Sequence, residues 1–474
     1  MTQLATVALL VVLLVALYDW RRGLLLAIAV GFLQDPVRKL LPGEPVIAVI
    51  AVAVVFVTAL AGLYLRGEKL HVEPLLRLYP RLRLPVALFF ALVLLQTAVT
   101  VVRSRSAVLA GLGLLAYFGP LVALGLGQQF CRDYRDLRRW LGLYLLLAVA
   151  VGASVLLQFA GYRPAVFGSI GAELVYGVGV AVRTLCGLMR SSEIAAWHLG
   201  AGTCLVLTLV VSARSLTGRI AGTVVVGGLV VGIMLTGRRK MLAELVLFAL
   251  LFGVLVTQYR RGGSRLLQGV AGGALSLVLG VQLFTSPDQF DRLGPYLVRS
   301  LSVLADSTER LGAMTIGQFQ WVLAQNGPWG AGAGTGAQGS QYFGGGSAIV
   351  GYAAEGGLGR VLAELGVPGL VVVVWLTAAF ARTLVDLARW ARRLPPEQAL
   401  PLYGLIAFLP ANAAVFLTAH QVYGDPFVLL TLGWMAGALL AHPRLAAREA
   451  RLEGERAERL ARADARRRRG WRAA

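Results

Sequence analysis

Apolar runs of about 20 residues recur along this chain, and no other feature constrains its fold as tightly, because a helix of that length spans the roughly 30 Å hydrocarbon core of a bilayer. The runs fall at about 3–18, 45–65, 84–102, 107–127, 139–160, 195–213, 218–236, 241–258, 265–284, 358–381, 400–418 and 424–441, with a shorter one at 23–34. Lipid offers no partner for open backbone groups, so such spans must be helices; barrel strands would be shorter and would alternate polar with apolar residues. The expected fold class is therefore all-α, a polytopic integral membrane protein of about 12 to 13 transmembrane helices with one large extracytoplasmic loop. A hydrophobic content of 57% and a mean hydropathy of +0.71 exceed what a soluble core requires. No basic stretch with a short apolar core and small-residue cleavage site opens the chain, so the first run reads as a retained helix in a chain that starts at Met1.

These runs divide the sequence into an N-terminal transmembrane bundle over 1–284, a large periplasmic loop over 285–357, C-terminal transmembrane helices over 358–441 and a basic cytoplasmic tail over 442–474. The net charge of +21 would suggest a nucleic-acid partner in a soluble protein, but here the basic residues gather in short clusters between apolar runs, which is a topology signal. The tail, ending in Arg466, Arg467, Arg468 and Arg469, belongs in the cytoplasm, where anionic lipids attract it. It lacks the aromatic interleaving and fold signatures of recognition modules, so no nucleic-acid partner is expected. Counting back from the tail puts the basic segments Ala381–Gln398, Tyr259–Arg265, Ala213–Arg219, Cys131–Arg139, Arg66–Arg83 and Asp19–Gly23 inside. Gly161–Ile194 and Thr285–Glu355 then face the exterior. Cys131, Cys186 and Cys204 fit neither a disulfide framework nor a zinc site, and His71, His198, His420 and His442 have no carboxylate pair at ligand spacing. No metal or cofactor is expected.

Two basic clusters fall on the wrong side of that topology. Arg103-Ser104-Arg105 and Gly237-Arg238-Arg239-Lys240 lie in tight outer turns. Translocated positive charge is disfavoured and arginine at membrane depth is costly, so these clusters call for a compensating anion; the simpler reading is headgroup snorkelling. Arg183 and Arg190 add charge in the first outer loop, and Glu193 and His198 lie near the outer end of the next helix, where His198 reads more simply as a packing residue. In the large loop, Asp306–Ala324 carries Leu311, Met314, Phe319 and Val322 at helical spacing behind a run of capping residues. Arg310 in its first turn is unfavourable unless an anion shares the site. The glycine-dense stretch that follows is a loop without the ending of a phosphate-binding P-loop, and its glycines are expected to shape a cavity. Glu355 closes that loop. Arg360 and Glu364, four residues apart on one helix face at the membrane, read as cavity-facing groups or as an internal salt bridge, and His420 lies in a short outer turn.

The segment LTGRRKMLAELVLFALL resembles the Ser-x-Ser-Arg-Gly-Ala-Leu-Leu-Ala helix start of the O-antigen ligase and O-antigen polymerase superfamily, with Arg239 at the functional arginine. Glu309 through Gly334 is similar to that family's arginine, amphipathic helix and Pro-x-x-Gly-x-Gly-x-Gly, with Arg310 at the second arginine. AAEGGLGRVLAELGVPGL resembles His-Asn-x-x-Leu-x-x-x-x-Glu-Leu-Gly-x-x-Gly-Leu, but Glu355 and Gly356 occupy the histidine and asparagine positions. The resemblance implies metal-independent glycosyl transfer at the outer face of the bacterial cytoplasmic membrane. A glycan would leave an undecaprenyl-diphosphate donor and join the hydroxyl of a lipid or polysaccharide acceptor. Guanidinium groups suit a leaving diphosphate. Arg239 and Arg310 would fill that role and Glu355 that of base, with Arg103, Arg105, Arg183, Arg190, Arg238, Lys240, Glu193, His198, Arg360, Glu364 and His420 as further binding candidates. The competing expectation, encouraged by the missing histidine, is a non-enzymatic transporter or polysaccharide-assembly partner on the same framework.

Overall fold

The computed structural model describes residues 2–70, 72–171, 174–177, 180–259, 287–301, 312, 317–337, 340 and 355–473. Among these, ten helices are long and apolar enough to cross a membrane, the architecture of a multi-pass membrane protein. The expected span at 265–284, Arg310 and the first half of the helix expected over Asp306–Ala324 lie outside the described residues.

The chain opens with α1 (Thr2–Tyr18), a shorter apolar helix, and α2 (Trp20–Leu40), capped by the Asp19 carboxylate. The short apolar run at 23–34 is thus the middle of a longer helix with a basic end. A 3₁₀ turn (Val46–Ile50) leads into α3 (Ala51–Leu65), followed by the short α4 (Val72–Leu78). Three long helices come next, α5 (Pro80–Ser104), α6 (Ala107–Phe130) and α7 (Tyr134–Phe159). A hairpin, β1 (Leu174–Gly177) with β2 (Val180–Arg183), pairs Leu174 with Arg183 in antiparallel register. The spans α8 (Ser192–Ser212), α9 (Leu216–Leu235) and α10 (Arg239–Tyr259) precede two shorter helices, α11 (Pro287–Leu301) and α12 (Gln318–Asn326). Three helices close the chain, α13 (Gly357–Ala391), α14 (Pro396–Thr418) and α15 (Pro426–Ala473). The basic tail is continuous with the last span, so no helix break marks the boundary at 442.

Small residues decide which helices lie at the centre. Ala195, Ala196, Gly200, Ala201 and Gly202 let α7, α9, α10 and α14 close around α8, whose apolar window is 94% buried against 28% for α5 and α6. On α15, Gly433 and Gly437 form a small-xxx-small face against α6; an added Cβ would meet the Pro120 and Leu124 carbonyl oxygens at 2.2 and 2.0 Å. Outward faces keep large apolar side chains exposed, among them Leu94, Leu95, Val224, Val246, Leu250 and Val371. This is the pattern of helices whose outer solvent is lipid rather than water.

Side-chain contacts define the two ends of the bundle. At one end Arg21 donates to the Phe130 carbonyl, Arg444 to those of Gln128 and Cys131, Arg214 pairs with Glu397, and Arg81 with Asp386. This end gathers the basic connectors and the start of the tail. At the other, Lys39 Nζ donates to the carbonyls of Val166, Gly187, Leu188 and Met189, and Arg190 is locked between Asp35 and Asp425. The hairpin, α11 and the glycine-rich segment belong to this second end through the bonds from Tyr296 to Arg183, Arg299 to Gly237 and Arg103 to Gly330.

Of the described part of the glycine-rich segment, 330–337 form a buried wedge between α5, α6 and α13. Ala331 and Gly332 donate to the carbonyls of Ala363 and Glu364, Ala333 donates to that of Gln96, and Thr100 Oγ1 donates to Ala333. The wedge breaks α13 at Gly366, whose φ of 71° is non-helical. Gly334, with φ +90° and its absent Cβ position 2.1 Å from the Leu109 oxygen, fits only because it has no side chain.

Candidate functional site

The site begins in the tight turn between α9 and α10. Gly237 there takes φ +68°, a left-handed conformation that lets the chain reverse within three residues. Arg238, Arg239 and Lys240 are thereby brought to one place, the last two in the opening turn of α10. Cations at a helix N-terminus face unpaired amide hydrogens and the positive end of the macrodipole, so the local potential favours an anion.

The α8 end supplies the counterweight. Arg238 Nε donates to Ser192 Oγ at 2.8 Å and its Nη1 to Glu193 Oε1 at 3.0 Å, while Lys240 Nζ donates to the same carboxylate oxygen at 2.9 Å. Glu193 is thus committed to two cations. Lys240 also reaches Gln421 Oε1 at 3.4 Å, and Arg299 of α11 donates from Nε to the Gly237 carbonyl at 2.8 Å, fixing the turn from outside.

These groups surround a cavity of about 520 Å³ at the second end of the bundle. Its polar lining is Arg238, Arg239, Lys240, Arg299, Glu193, Glu244, Glu355, Thr418 and Gln421, and its apolar wall comes from Ala243 and Leu247 of α10 and Ala411, Ala414, Val415 and Leu417 of α14. Val175 and Tyr176 of the hairpin overhang it. Positions 243, 247, 250 and 254 share one helical face, so the α10 wall continues into exposed Leu250 and Val254. The cavity therefore joins a cation-rich head to an apolar flank.

Glu355 lies exposed on the rim just before α13. Its backbone is pinned: the carbonyl accepts from His420 N at 2.9 Å and His420 Nδ1 at 3.1 Å, and the next amide, Gly356 N, donates to Gln318 Oε1 at 3.1 Å. His420 must carry hydrogen on Nδ1 to make that bond. Burial, and secondarily the Arg360 charge, bring its pKa down to about 4, so the ring is neutral.

Of the residues singled out from sequence, Arg238, Arg239, Lys240, Glu193 and Glu355 come together in this cavity, and His420 supports it from behind. The others are elsewhere. Arg190 is buried with Asp35 at 3.0 Å and with Asp425, and its pKa, lowered by burial, is raised overall by the two carboxylates. His198 is buried among Phe32, Trp197 and Phe427, with Nδ1 3.0 Å from the Tyr144 hydroxyl, a packing residue. Arg360 and Glu364 form the internal salt bridge, 3.0 Å, and Glu364 also accepts from Gly334 N and Gly336 N at 3.0 Å each. Arg103 and Arg105 are exposed beside the glycine wedge, and Arg183 ends β2. Residues 327–337 line none of the cavity, 330–337 being packed between helices instead, and most of the rest of the stretch expected to shape it lies outside the described residues.

Sequence reasoning missed Glu244, Arg299 and Gln421. For Glu244 the signal was present as a lone carboxyl inside the apolar stretch MLAELVLFALL, where an ionisable group marks function by default. Arg299 arrives on a helix whose buried positions, Leu293 and Tyr296, fix its direction only once it packs on α9 and β2. No protein-family model matches this chain, and no curated protein does.

Proposed function

We propose that this protein is a membrane-embedded glycosyltransferase that moves a glycan from undecaprenyl-diphosphate to an acceptor hydroxyl, in the manner of O-antigen ligases and polymerases. The observation that carries the reading is the cavity: Arg239 at the head of α10 shares it with Arg238, Lys240, Arg299 and Glu355, above an apolar wall. A lipid-linked diphosphate has this same division, an anionic head on an apolar chain. In the reaction the diphosphate leaves with added negative charge, which preorganised guanidinium and ammonium groups stabilise more strongly in a low-dielectric site than in water. Arg239 and Lys240 hold the leaving diphosphate; Arg310, from the same motif set, is a second phosphate ligand; Glu355 on the rim receives the acceptor. The chemistry needs no metal in this scheme.

The orientation follows the positive-inside rule. The end that carries the basic connectors and tail faces the cytoplasm, with the tail helix on anionic lipid headgroups, and the cavity end faces the periplasm or exterior of a bacterial inner membrane. The loop of 285–357 lies on that outer side, in a membrane domain of about 12 to 13 spans.

Arg239→Ala is expected to abolish surface polysaccharide while leaving protein abundance unchanged; normal polysaccharide in that variant overturns the proposal. The competing transporter reading predicts uptake of a small solute by purified protein in liposomes, without turnover of lipid-linked glycan.

A further inference from the structure

One polar atom in the cavity is not explained by the cation cluster. Glu244, on α10, is 1% exposed and lines the cavity below Arg239 and Lys240. Its Oε1 accepts from Asn412 Nδ2 at 2.6 Å. The Asn412 amide is oriented from its other side: the Trp197 indole, which can only donate, gives its hydrogen to Oδ1 at 2.7 Å, and the Tyr423 hydroxyl approaches the same oxygen at 3.2 Å. Asn412 Nδ2 spends its second hydrogen on the Phe408 carbonyl at 3.1 Å. Asn412 therefore holds one carboxyl oxygen and cannot serve the other.

Glu244 Oε2 is itself buried and has no hydrogen-bond partner among the described residues. Lys240, one turn above, is engaged by Glu193. Oε2 faces α8 at Gly200, where an added Cβ would stand at van der Waals contact, 3.8 Å away. A buried acceptor left unsatisfied costs about 1–3 kcal/mol, so an oriented carboxyl in a cavity wall with one oxygen unpartnered is suited to meet a donor that arrives there. Along the helix axis Glu244 lies about 6 to 7.5 Å from Lys240 and Arg239, by the rise of 1.5 Å per residue. Glu244 and the two cations thus line one cavity from successive turns of α10.

We propose, resting on the glycosyl-transfer reading above, that Glu244 accepts the proton of the attacking hydroxyl. The hydroxyl oxygen bonds to the anomeric carbon, and the bond from that carbon to the diphosphate oxygen breaks. Its electron pair leaves on the diphosphate held by Arg239 and Lys240, and the hydroxyl proton passes to Glu244 Oε2. Asn412 keeps the carboxyl aimed throughout. Glu193 is tied to two cations, and Glu355, at the exposed rim, binds the acceptor without taking the proton.

The test uses the full chain in lipid nanodiscs, with lipid-linked glycan extracted from cells lacking this gene as donor and membranes of the same cells as acceptor. Glu244→Gln should lower kcat 100-fold or more, within the range of general-base catalysis, while the KM for donor stays within twofold. A kcat within threefold of wild type overturns the inference, as does a raised KM with kcat unchanged, or a 100-fold loss in Glu355→Gln that Glu244→Gln does not share. Should Glu244→Gln not accumulate as folded protein, Glu244→Asp, whose carboxyl is drawn back by one methylene, should still lose at least tenfold in kcat; wild-type kcat overturns the proposal. Absence of transfer by the wild-type protein sinks the glycosyl-transfer reading itself, and this inference with it. Transfer by the wild type and by Glu244→Gln alike removes only the role of Glu244.

Discussion

Among the described residues two glutamates are buried, Glu364 in α13 and Glu244 in α10, and their partners differ in kind. Glu364 is 0% exposed and has both oxygens occupied, by Arg360 Nε and by the amides of Gly334 and Gly336 at 3.0 Å each. Glu244 is nearly as buried, yet one oxygen is held by Asn412 and the other, also buried, has no hydrogen-bond partner among the described residues. The first closes a structural joint, fastening the glycine wedge into the break in α13. The second ends a hydrogen-bond chain at an oxygen with no partner among the described residues. Burial alone does not separate a structural carboxyl from a functional one; the count of satisfied lone pairs does.

The comparison breaks most readily at Glu364. Glu364→Ala strands the buried Arg360 charge and two wedge amides, and removing one partner of such a pair costs about 3–5 kcal/mol. Thermal unfolding in detergent should show a large fall in midpoint or a loss of folded protein; an unchanged midpoint would mean that the wedge is held by its backbone bonds alone.

Next in size is the pH response of His420, which pins the Glu355 rim. Its pKa is about 4 in the folded chain, from burial first and the Arg360 charge second, against about 6.5 when unfolded. The unfolded state therefore binds more protons between these values, and stability present above pH 6.5 is lost as pH falls towards 4, by about 3 kcal/mol in all. The slope of stability against pH over that window should be shallower in His420→Gln, and equal slopes would remove His420 as the group responsible.

Gly334→Ala tests the wedge without touching a charge. A φ of +90° and a Cβ forced 2.1 Å from the Leu109 carbonyl oxygen should cost about 1–3 kcal/mol, seen as earlier unfolding with the cavity chemistry otherwise intact. The smallest effect is expected for Glu244→Gln, which keeps shape and the capacity to bond Asn412 while its second oxygen has no partner among the described residues to lose. Its stability should lie within about 1 kcal/mol of wild type, and a drop comparable to that of Glu364→Ala would make the two carboxyls alike.

Much of this was legible in the sequence, for a reason that differs between spans and site. Apolar runs such as 195–213 and 400–418 announce their helices because lipid leaves the backbone no other way to satisfy itself. The cluster Arg238-Arg239-Lys240 was likewise visible, since charge between two apolar runs, away from the basic connectors, needs a local cause. Arg190 looked the same in sequence and is not the same in space. Asp35 and Asp425, 155 and 235 residues distant, neutralise it, whereas Arg239 lines a cavity. No local pattern separates the two cases.

By itself, then, the sequence determined that the chain is helical and built for a bilayer, and that its positive charges are distributed unequally between the two ends. These properties depend on residue type and short-range order, which the solvent reads directly. The tertiary structure alone decided which charges are buried against one another and which line a cavity. That depends on Glu193 meeting Arg238 and Lys240 across 45 and 47 residues, and on Asn412 meeting Glu244 across 168. Such pairings are set by how close the small faces of α8 allow α10 and α14 to approach, a packing result that no single segment carries.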